Sequence, residues 1–249
     1  MWRVFADFHT HTRYSHGTGT IEENARAAKK QGLEILGIAD HGPANWGHIA
    51  TTSLDVFDQI MVEAKKVERQ FSGLTILAGT EANIISYEGE LDIPLKLQKK
   101  LDQVLAGFHV TIKPKTVEDG VKFITQWVAG RLSPRLKQIA RNDNTKAIVS
   151  AVYRNQIDII THPGLNINID TPELARACVK KHTALEINTL HGSKSVAFIK
   201  AAAGEGVMFA IGSDAHQPDR VGSLNSGVKA AQTAGLKPER IINVKPDKG

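Results

Sequence analysis

Short apolar or β-branched segments alternate with longer helical patterns along the whole chain. Such alternation predicts βα units that build a parallel sheet. The seven clear strand candidates are RVFADFH (3–9), LEILGIADH (33–41), LTILAGTE (74–81), QVLAGFH (103–109), IDIITH (157–162), TALEIN (183–188) and VMFAIGSD (207–214). A weaker candidate, RIINV (240–244), is either an eighth strand or a segment that closes the fold.

Two helices have recognisable ends in the sequence. Thr20 and Glu23 are spaced as a capping box, and Gly32 marks the end of the same helix. In the sequence TPE at 171–173, we expect Thr171 to be the N-cap, with the proline at the first helical position.

The interval between His109 and His162 is longer than a compact barrel connection and predicts two or three helices. We call residues 113–146 the basic helical excursion, and its basic residues include Lys113, Lys115, Arg131, Arg135, Lys137 and Arg141. Two interpretations stay open. The segment is either a solvated excursion or a basic cap that selects an anionic substrate, because loops after barrel strands set specificity.

The length of 249 residues suits a single domain that spans residues 1–249. Apolar residues make up 41% and charged residues 23%, as in ordinary globular proteins. The net charge of +5 mildly favours an anionic substrate or a polyanion. Neither a signal peptide nor a membrane span is recognisable. The single cysteine, Cys178, excludes an internal disulfide framework and favours a cytoplasmic location.

Side chains that can bind a metal stand where the predicted strands end. The first strand ends in His9 and His11, and side chains two positions apart on a strand point to the same face. The other strands end in Asp40 and His41, in Glu81, in His109, in His162, in Asn188, and in Asp214 with His216. The carboxyl ends of parallel barrel strands gather at the face that holds the active site. We therefore expect these side chains to converge on one metal centre.

The motifs resemble those of the PHP (polymerase and histidinol phosphatase) family, in particular its stand-alone phosphatase-like members. They follow the family's order over nearly the whole chain: DFHTHTRYSHG, IADHGP, GTEANI with GELD, AGFH, ITHPG, LEIN and GSDAH. The resemblance implies a distorted (β/α)7 TIM-like barrel with a trinuclear metal centre at the carboxyl ends of the strands.

By the same resemblance, nine residues are metal ligands, with Glu81 and Asp214 as key members. The three ions would be held by His9, His11, Glu81 and Asp214, by His16, His41 and His216, and by Glu81, His109 and His162. Imidazole and carboxylate ligands suit the divalent ions of Zn, Mn or Fe, and the sequence does not select among them.

Such a centre predicts a metal-dependent phosphatase that acts on a small phosphomonoester. A metal-bound hydroxide would attack phosphorus while the cations neutralise the phosphate oxygens. Arg13, Asn188 and Arg220 lie beside ligand motifs and are the candidate substrate-binding residues. Asp7 and Asp40 each neighbour a ligand, and they either orient metal-bound histidines or hold loops.

Two other functions stay open. A phosphodiesterase or nuclease acting on nucleotides or nucleic acid fits the basic residues, although an aromatic content of 6% offers few stacking platforms. A non-catalytic metal-binding protein would need closed sites, and the shared carboxylate and the open barrel mouth argue against it. The sequence determines neither the physiological substrate nor the oligomeric state.

Overall fold

The computed structural model describes residues 2–109, 111–129, 133–165, 167–192 and 195–246. Its strands are β1 (Trp2–Val4), β2 (Ala6–Thr10), β3 (Ile35–Ile38), β4 (Thr75–Asn83), β5 (Gln103–Gly107), β6 (Ile159–Ile160), β7 (Ala184–Asn188), β8 (Phe209–Gly212) and β9 (Val244–Pro246). Strands β2 to β8 form one parallel sheet in chain order. All seven clear strand candidates are therefore confirmed.

The first and last strands of this sheet meet and nearly close it into a barrel. Thr10, at the end of β2, forms a parallel bridge with Ala215, just after β8. The backbone N–H of His11 donates to the carbonyl of Ala215 at 2.8 Å, and the N–H of Ala215 donates to the carbonyl of His9 at 3.3 Å. The predicted TIM-like barrel of seven parallel strands is confirmed.

Helices connect the strands along the outside of the barrel. They are α1 (Ile21–Lys30), α2 (Val56–Glu68), α3 (Leu95–Gln98), α4 (Val117–Ala129), α5 (Pro134–Arg154), α6 (Thr171–Lys181), α7 (Ser195–Ala203) and α8 (Asn225–Thr233). Side chains such as Leu36, Phe57 and Ile76 are fully buried in the main apolar core. No helix in the described part of the chain combines the length and the hydropathy that crossing a membrane requires.

The ends of α1 and α6 test two predictions. Thr20 caps α1 in a complete capping box with Glu23, as predicted. The predicted N-cap of α6 is wrong by one residue, because Asp170 and not Thr171 is the cap. The carboxylate of Asp170 accepts the backbone N–H of Glu173 at 2.9 Å. Both residue types are good caps, and Asp170 is the residue with the extended backbone of an N-cap, whereas Thr171 is already helical.

The weak candidate at 240–244 is a closing segment and not an eighth barrel strand. Strand β9 pairs antiparallel with β1 in a separate two-stranded sheet. Just before β9, the buried side chain of Asn243 donates to the carbonyls of Ala6 and Ile211, each at 2.7 Å. Its Oδ1 accepts the N–H of Ile211 at 3.0 Å. One amide therefore ties the first barrel strand to the last.

The basic helical excursion forms two helices, α4 and α5, and Arg131 lies outside the described residues. Phe123 anchors α4 to the barrel, since its ring lies 4.6 Å from that of Tyr87 and 5.0 Å from that of Phe108. Some of the basic side chains pair with acids. Examples are Lys115 with Glu90 at 2.5 Å, Lys122 with Asp143 at 3.7 Å and Arg141 with Asp170 at 2.7 Å.

Candidate metal centre

His9 and His11 present their imidazoles to one point at the carboxyl end of β2. Their Nε2 atoms are 3.1 Å apart, and both rings are almost completely buried. Oδ1 of Asp214 lies 3.2 Å from Nε2 of His11 and 3.4 Å from Nε2 of His9. Closure of the barrel between β2 and β8 therefore brings these three predicted ligands together.

Glu81, on β4, stands between two groups of histidines. Its Oε1 lies 2.8 Å from Nε2 of His162 and 3.2 Å from Nε2 of His109, and it accepts the hydroxyl of Thr161 at 2.6 Å. The Nε2 atoms of His109 and His162 are 3.2 Å apart. One oxygen of Glu81 thus faces the predicted ligands of the third ion.

The second carboxylate oxygen of Glu81 faces the other histidines. Oε2 lies 3.3 Å from Nε2 of His9, 3.6 Å from Nε2 of His11 and 3.2 Å from Nδ1 of His41. A carboxylate whose two oxygens face different sets of nitrogen ligands has the geometry of a bridging ligand. Glu81 is 1% exposed, so solvent does not compete for either oxygen.

Four histidine rings lie close together, namely the three predicted ligands of the second ion and His11 of the first. Ring centroids are 4.3 Å apart for His11 and His216, 4.1 Å for His16 and His216, and 4.9 Å for His16 and His41. Within the described residues, the buried Nδ1 atoms of His11 and His16 have no hydrogen-bond partner. Buried polar atoms are nearly always paired, so these two nitrogens are chemically suited to bind an ion.

The protonation states of this group agree with metal binding. Burial lowers the pKa of His11 and of His16 to about 4, and it lowers the pKa of His41 well below the ordinary value. All three imidazoles are therefore neutral near pH 7, which leaves lone pairs for a cation. Burial opposes protonation of His9 and His162 as well, but neighbouring carboxylates outweigh burial and raise the pKa of both, so these two rings would release a proton when an ion binds. Imidazole and carboxylate donors fit divalent transition-metal ions.

The carboxylates of the site are strongly acidic. Burial alone would raise the pKa of Glu81, but the attraction of His9 and His109 outweighs burial and lowers that pKa well below the usual range. Burial likewise opposes ionisation of Asp214, and His9 with His11 lowers its pKa in spite of it. Both carboxyl groups are consequently ionised near pH 7 and available to cations.

Glu186, on β7, is a residue of the site that the sequence interpretation did not assign. Its Oε1 lies 2.7 Å from Nδ1 of His9, and its Oε2 accepts the backbone N–H of His162 at 2.7 Å and the amide of Asn188 at 3.3 Å. A carboxylate on Nδ1 fixes the orientation of an imidazole and leaves Nε2 free for a metal. The alternation Ala-Leu-Glu-Ile-Asn in β7 places Glu186 and Asn188 on one face, which is the signal that could have identified it.

Asn83 and Asp92 form a second set of residues that support a predicted ligand, His109, and that the sequence interpretation did not assign. Nδ1 of His109 lies 2.9 Å from Oδ1 of Asn83, the last residue of β4. The amide of Asn83 donates to Asp92 at 2.6 Å, and Asp92 also accepts the N–H of Ala44 at 3.0 Å. This chain of hydrogen bonds fixes the ring of His109 with Nε2 towards Glu81.

Asp7 and Asp40 hold loops, which is one of the two roles considered for them. Asp40 accepts the backbone N–H of Thr12 at 2.8 Å and the hydroxyl of Ser15 at 2.6 Å, in the loop that leads to His16. Asp7 accepts backbone N–H groups from Ser213 at 3.1 Å and from Gly222 at 2.9 Å.

Two predicted ligands have strained backbones. His162 has a φ of 28° and Asp214 a φ of 53°, in the left-handed region that non-glycine residues seldom adopt. Such conformations cost about 1–3 kcal/mol each and concentrate at functional sites. The N–H of His162 is held by Glu186, which helps to keep its ring at the centre.

The three candidate substrate-binding residues differ in position. Asn188 is buried, and its amide donates to Oδ2 of Asp214 at 3.0 Å. Arg13 is exposed and lines a surface cavity of about 690 Å³ together with Glu63 of α2. Arg220 is exposed at the end of the short 3-10 helix Pro218–Arg220, which follows His216 closely. Only Asn188 has a described contact with a predicted ligand.

Comparison with known proteins gives a family and relatives. The model of the PHP domain family matches residues 7–190. A relative from Thermoanaerobacter sp. (strain X514), named "Probable phosphatase", is 35% identical over 252 residues, covering 97% of this chain and 91% of the relative. Relatives named in this way confirm the predicted enzyme class, a hydrolase of phosphoric esters.

Two solved structures have the same fold. The crystal structure named "putative histidinol phosphatase" from Listeria monocytogenes matches with a TM-score of 0.64 at 17% identity and covers 87% of this chain and 97% of that chain. Histidinol phosphate phosphatase from Lactococcus lactis, complexed with zinc, L-histidinol and phosphate, matches with a TM-score of 0.60 at 15% identity, covering 94% and 95%. The family match and the relative of nearly full length show that this chain belongs to the PHP domain family.

Proposed function

We propose that this protein is a metal-dependent phosphatase that hydrolyses a small phosphomonoester, within a single domain and in the cytoplasm. The observation that carries the proposal is the position of Glu81. Its two buried oxygens face separate groups of histidines, as expected of a carboxylate shared between ions. A shared carboxylate keeps cations close enough to act on one phosphoryl group.

Nine residues would hold three divalent ions in the proposed centre. Their groups are His9, His11, Glu81 and Asp214, then His16, His41 and His216, and finally Glu81, His109 and His162. Three clusters of potential ligand atoms, each within 4.8 Å, support this grouping in part: His11, His16, His41 and His216; His9, His11 and Asp214; His41, Glu81 and His109. Zinc is the first ion to test, since the Lactococcus lactis neighbour contains it, and Mn and Fe follow.

When bound, the ions would activate a water molecule for attack on phosphorus and neutralise the charge on the phosphate oxygens. The chain's own residues hold this arrangement in place. Glu186 orients His9, and Asn83 orients His109. Asn188 donates to one oxygen of Asp214 and so leaves the other towards His9 and His11. Asn188 is therefore a positioning residue in this proposal.

Phosphate binding by Arg13 and Arg220 stays a proposal that kinetics can test. Each guanidinium can make two parallel hydrogen bonds to a phosphate, so its loss should raise KM more than it lowers kcat. We expect Arg220→Ala or Arg13→Ala to raise KM about tenfold if the residue binds the phosphoryl group. An unchanged KM removes that residue from the binding site.

The decisive experiment measures phosphate release by chelator-stripped protein after reloading with zinc, manganese or iron. Wild-type protein should release phosphate from p-nitrophenyl phosphate, and Glu81→Ala should lose at least about a thousandfold in kcat/KM, because the shared ligand is gone. Glu88→Gln is the matched control, since the side chain of Glu88 is 69% exposed and pairs only loosely with Lys146 at 3.9 Å. Unchanged turnover in metal-loaded Glu81→Ala contradicts the proposed mechanism.

Parallel assays with bis-p-nitrophenyl phosphate and with an oligonucleotide address the nuclease alternative. The ion pairs of Lys115, Lys122 and Arg141 with acids reduce the charge that the excursion offers to a polyanion. We therefore expect the monoester to be the better substrate, and faster cleavage of the diester would reverse this preference.

A further inference from the structure

A cavity of about 600 Å³ opens beside the predicted metal centre, between the loop after β6 and the first turns of α7. We call it the β6–β7 cavity. Its inner end is lined by His162, Glu186 and Asn188, and its wall includes Ile169 and Phe198. Because the cavity shares His162 with the centre, a molecule bound there lies next to whatever the centre binds. Its volume lies within the range of small-molecule sites.

The outer wall of the cavity is largely apolar, although its lining also includes the uncharged polar side chains of Asn168, Thr171 and Ser195. Leu165, Ile167 and Ile169 line it from the loop after β6, and Phe198 lines it from α7. Ile167, Ile169 and Phe198 are only partly buried, and they also pack against the main apolar core of the barrel. A side chain anchored in the core on one side and facing the cavity on the other provides a preformed apolar surface.

The described lining gives an ammonium group no free partner of opposite charge. It contains neither Lys nor Arg, and its one carboxylate belongs to Glu186. Both oxygens of Glu186 are engaged by His9, His162 and Asn188, and the residue is 2% exposed. An ammonium group in this cavity would lose its hydration without gaining a free carboxylate as a partner.

We propose that the β6–β7 cavity receives the leaving group of the substrate and that the preferred leaving group is an uncharged alcohol carrying an aromatic ring. This inference rests on the proposed function, because the phosphoryl group must lie at the centre for its ester oxygen to point into the cavity. Contact of a ring with Phe198 and with the two isoleucines would remove apolar surface from water. Such burial corresponds to about ten- to a hundredfold in binding.

Three phosphomonoesters with the same ethyl linker test the preference. They are 2-phenylethyl, 2-aminoethyl and 2-hydroxyethyl phosphate, which share a primary alkyl ester and differ in the group at the far end. We expect kcat/KM of the zinc-loaded protein to be at least about tenfold higher for the phenylethyl ester than for the other two. Histidinol phosphate, which carries an ammonium group, should also rank below the phenylethyl ester. Equal values for the three ethyl esters overturn the inference.

Variants of the wall test the assignment to this cavity. Phe198→Ala and Ile169→Ala should each reduce the ratio of kcat/KM between the phenylethyl and hydroxyethyl esters by about two- to tenfold. Val179→Ala, on the exposed surface of α6, is the matched control and should leave the ratio unchanged. A ratio that stays at the wild-type value in both folded wall variants places the preference elsewhere and overturns the assignment.

A binding measurement separates failure of this inference from failure of the proposed function. Calorimetry compares 2-phenylethylphosphonate with 2-aminoethylphosphonate, neither of which can be hydrolysed at its C–P bond by a phosphatase. At least about tenfold tighter binding of the phenyl compound supports the cavity assignment even if no ester releases phosphate, in which case the proposed function alone fails. Phosphate release without preference for the phenyl group leaves the function standing and refutes the inference.

Discussion

Replacing Glu186 by glutamine tests whether this buried side chain positions two ligands of the predicted centre. The substitution keeps the size of the side chain and exchanges one acceptor oxygen for a donor amide. In the native arrangement, the two oxygens face three donors: Nδ1 of His9 at 2.7 Å, the backbone N–H of His162 at 2.7 Å and the amide of Asn188 at 3.3 Å. A glutamine amide must therefore oppose either His9 or His162 with a donor.

The expected magnitude follows from this mismatch. A buried donor without an acceptor costs about 1–3 kcal/mol, which corresponds to about five- to 150-fold in an equilibrium constant. Loss of a carboxylate behind a metal-bound histidine typically lowers metal affinity by about 10- to 100-fold. We therefore expect zinc binding in Glu186→Gln to weaken by about 10- to 100-fold.

Competition with a chromophoric chelator measures the zinc affinity of the purified variant, and circular dichroism checks that the variant is folded. Excess zinc should restore most of the phosphatase rate, because the defect lies in ion binding. Glu88→Gln is the control for losing one surface carboxylate and should stay within about twofold of wild type. A folded Glu186→Gln protein that binds zinc with wild-type affinity would refute the positioning role.

Three further predictions concern packing and reactivity. Gly212→Ala should lower the free energy of unfolding in urea by about 1–3 kcal/mol. The added Cβ would collide with Oε1 of Glu186 and approach Cβ of His9 at 3.2 Å. Gly204→Ala, whose nearest contact would be at 3.9 Å, should not destabilise, and equal losses in both variants would contradict this account. Asp170→Ala should lower the free energy of unfolding by about 1–2 kcal/mol in the same assay, because the α6 cap is lost. Asp170→Asn should retain most of the capping stabilisation. Burial raises the pKa of the Cys178 thiol to about 12, so a thiol reagent at pH 8 should react with one equivalent only after denaturation, and prompt reaction of the native protein would be inconsistent with burial.

The strands could be predicted because their sequence signal is local. Even β6, with only Ile159 and Ile160 in the ladder, is recognisable from an apolar segment that ends in a histidine. The caps show the limit of local signals. Thr20 and Glu23 have the spacing of a capping box, in which each side chain bonds the backbone of the other residue, and this spacing identifies the cap. Asp170 and Thr171 are adjacent residues with similar capping ability, so the sequence does not choose between them. Arg141, which lies on another helix, pairs with Asp170 at 2.7 Å and is not visible in the local sequence.

Residues that support the predicted ligands could not be assigned in the same way. Glu186 lies 177 positions from His9 along the chain, and Asn83 lies 26 positions from His109. Their roles depend on which strands become neighbours and in which register, and a single side chain shows neither. The alternation in β7 indicated that Glu186 faces inward, but it did not indicate which imidazole it would meet.

The sequence by itself indicated the order of strands and helices and most of the residues that could bind metal, because periodicity and strand endings are properties of short segments. The barrel class and the ligand His16 were implied by the resemblance to the PHP family. The tertiary structure decided which oxygen of Glu81 faces which histidine and where a cavity opens beside His162. It also decided which carboxylates bind loop backbone and which orient an imidazole. Those features arise from barrel closure and long-range packing. Distances between side chains far apart in the chain depend on these two factors and have no counterpart in local sequence.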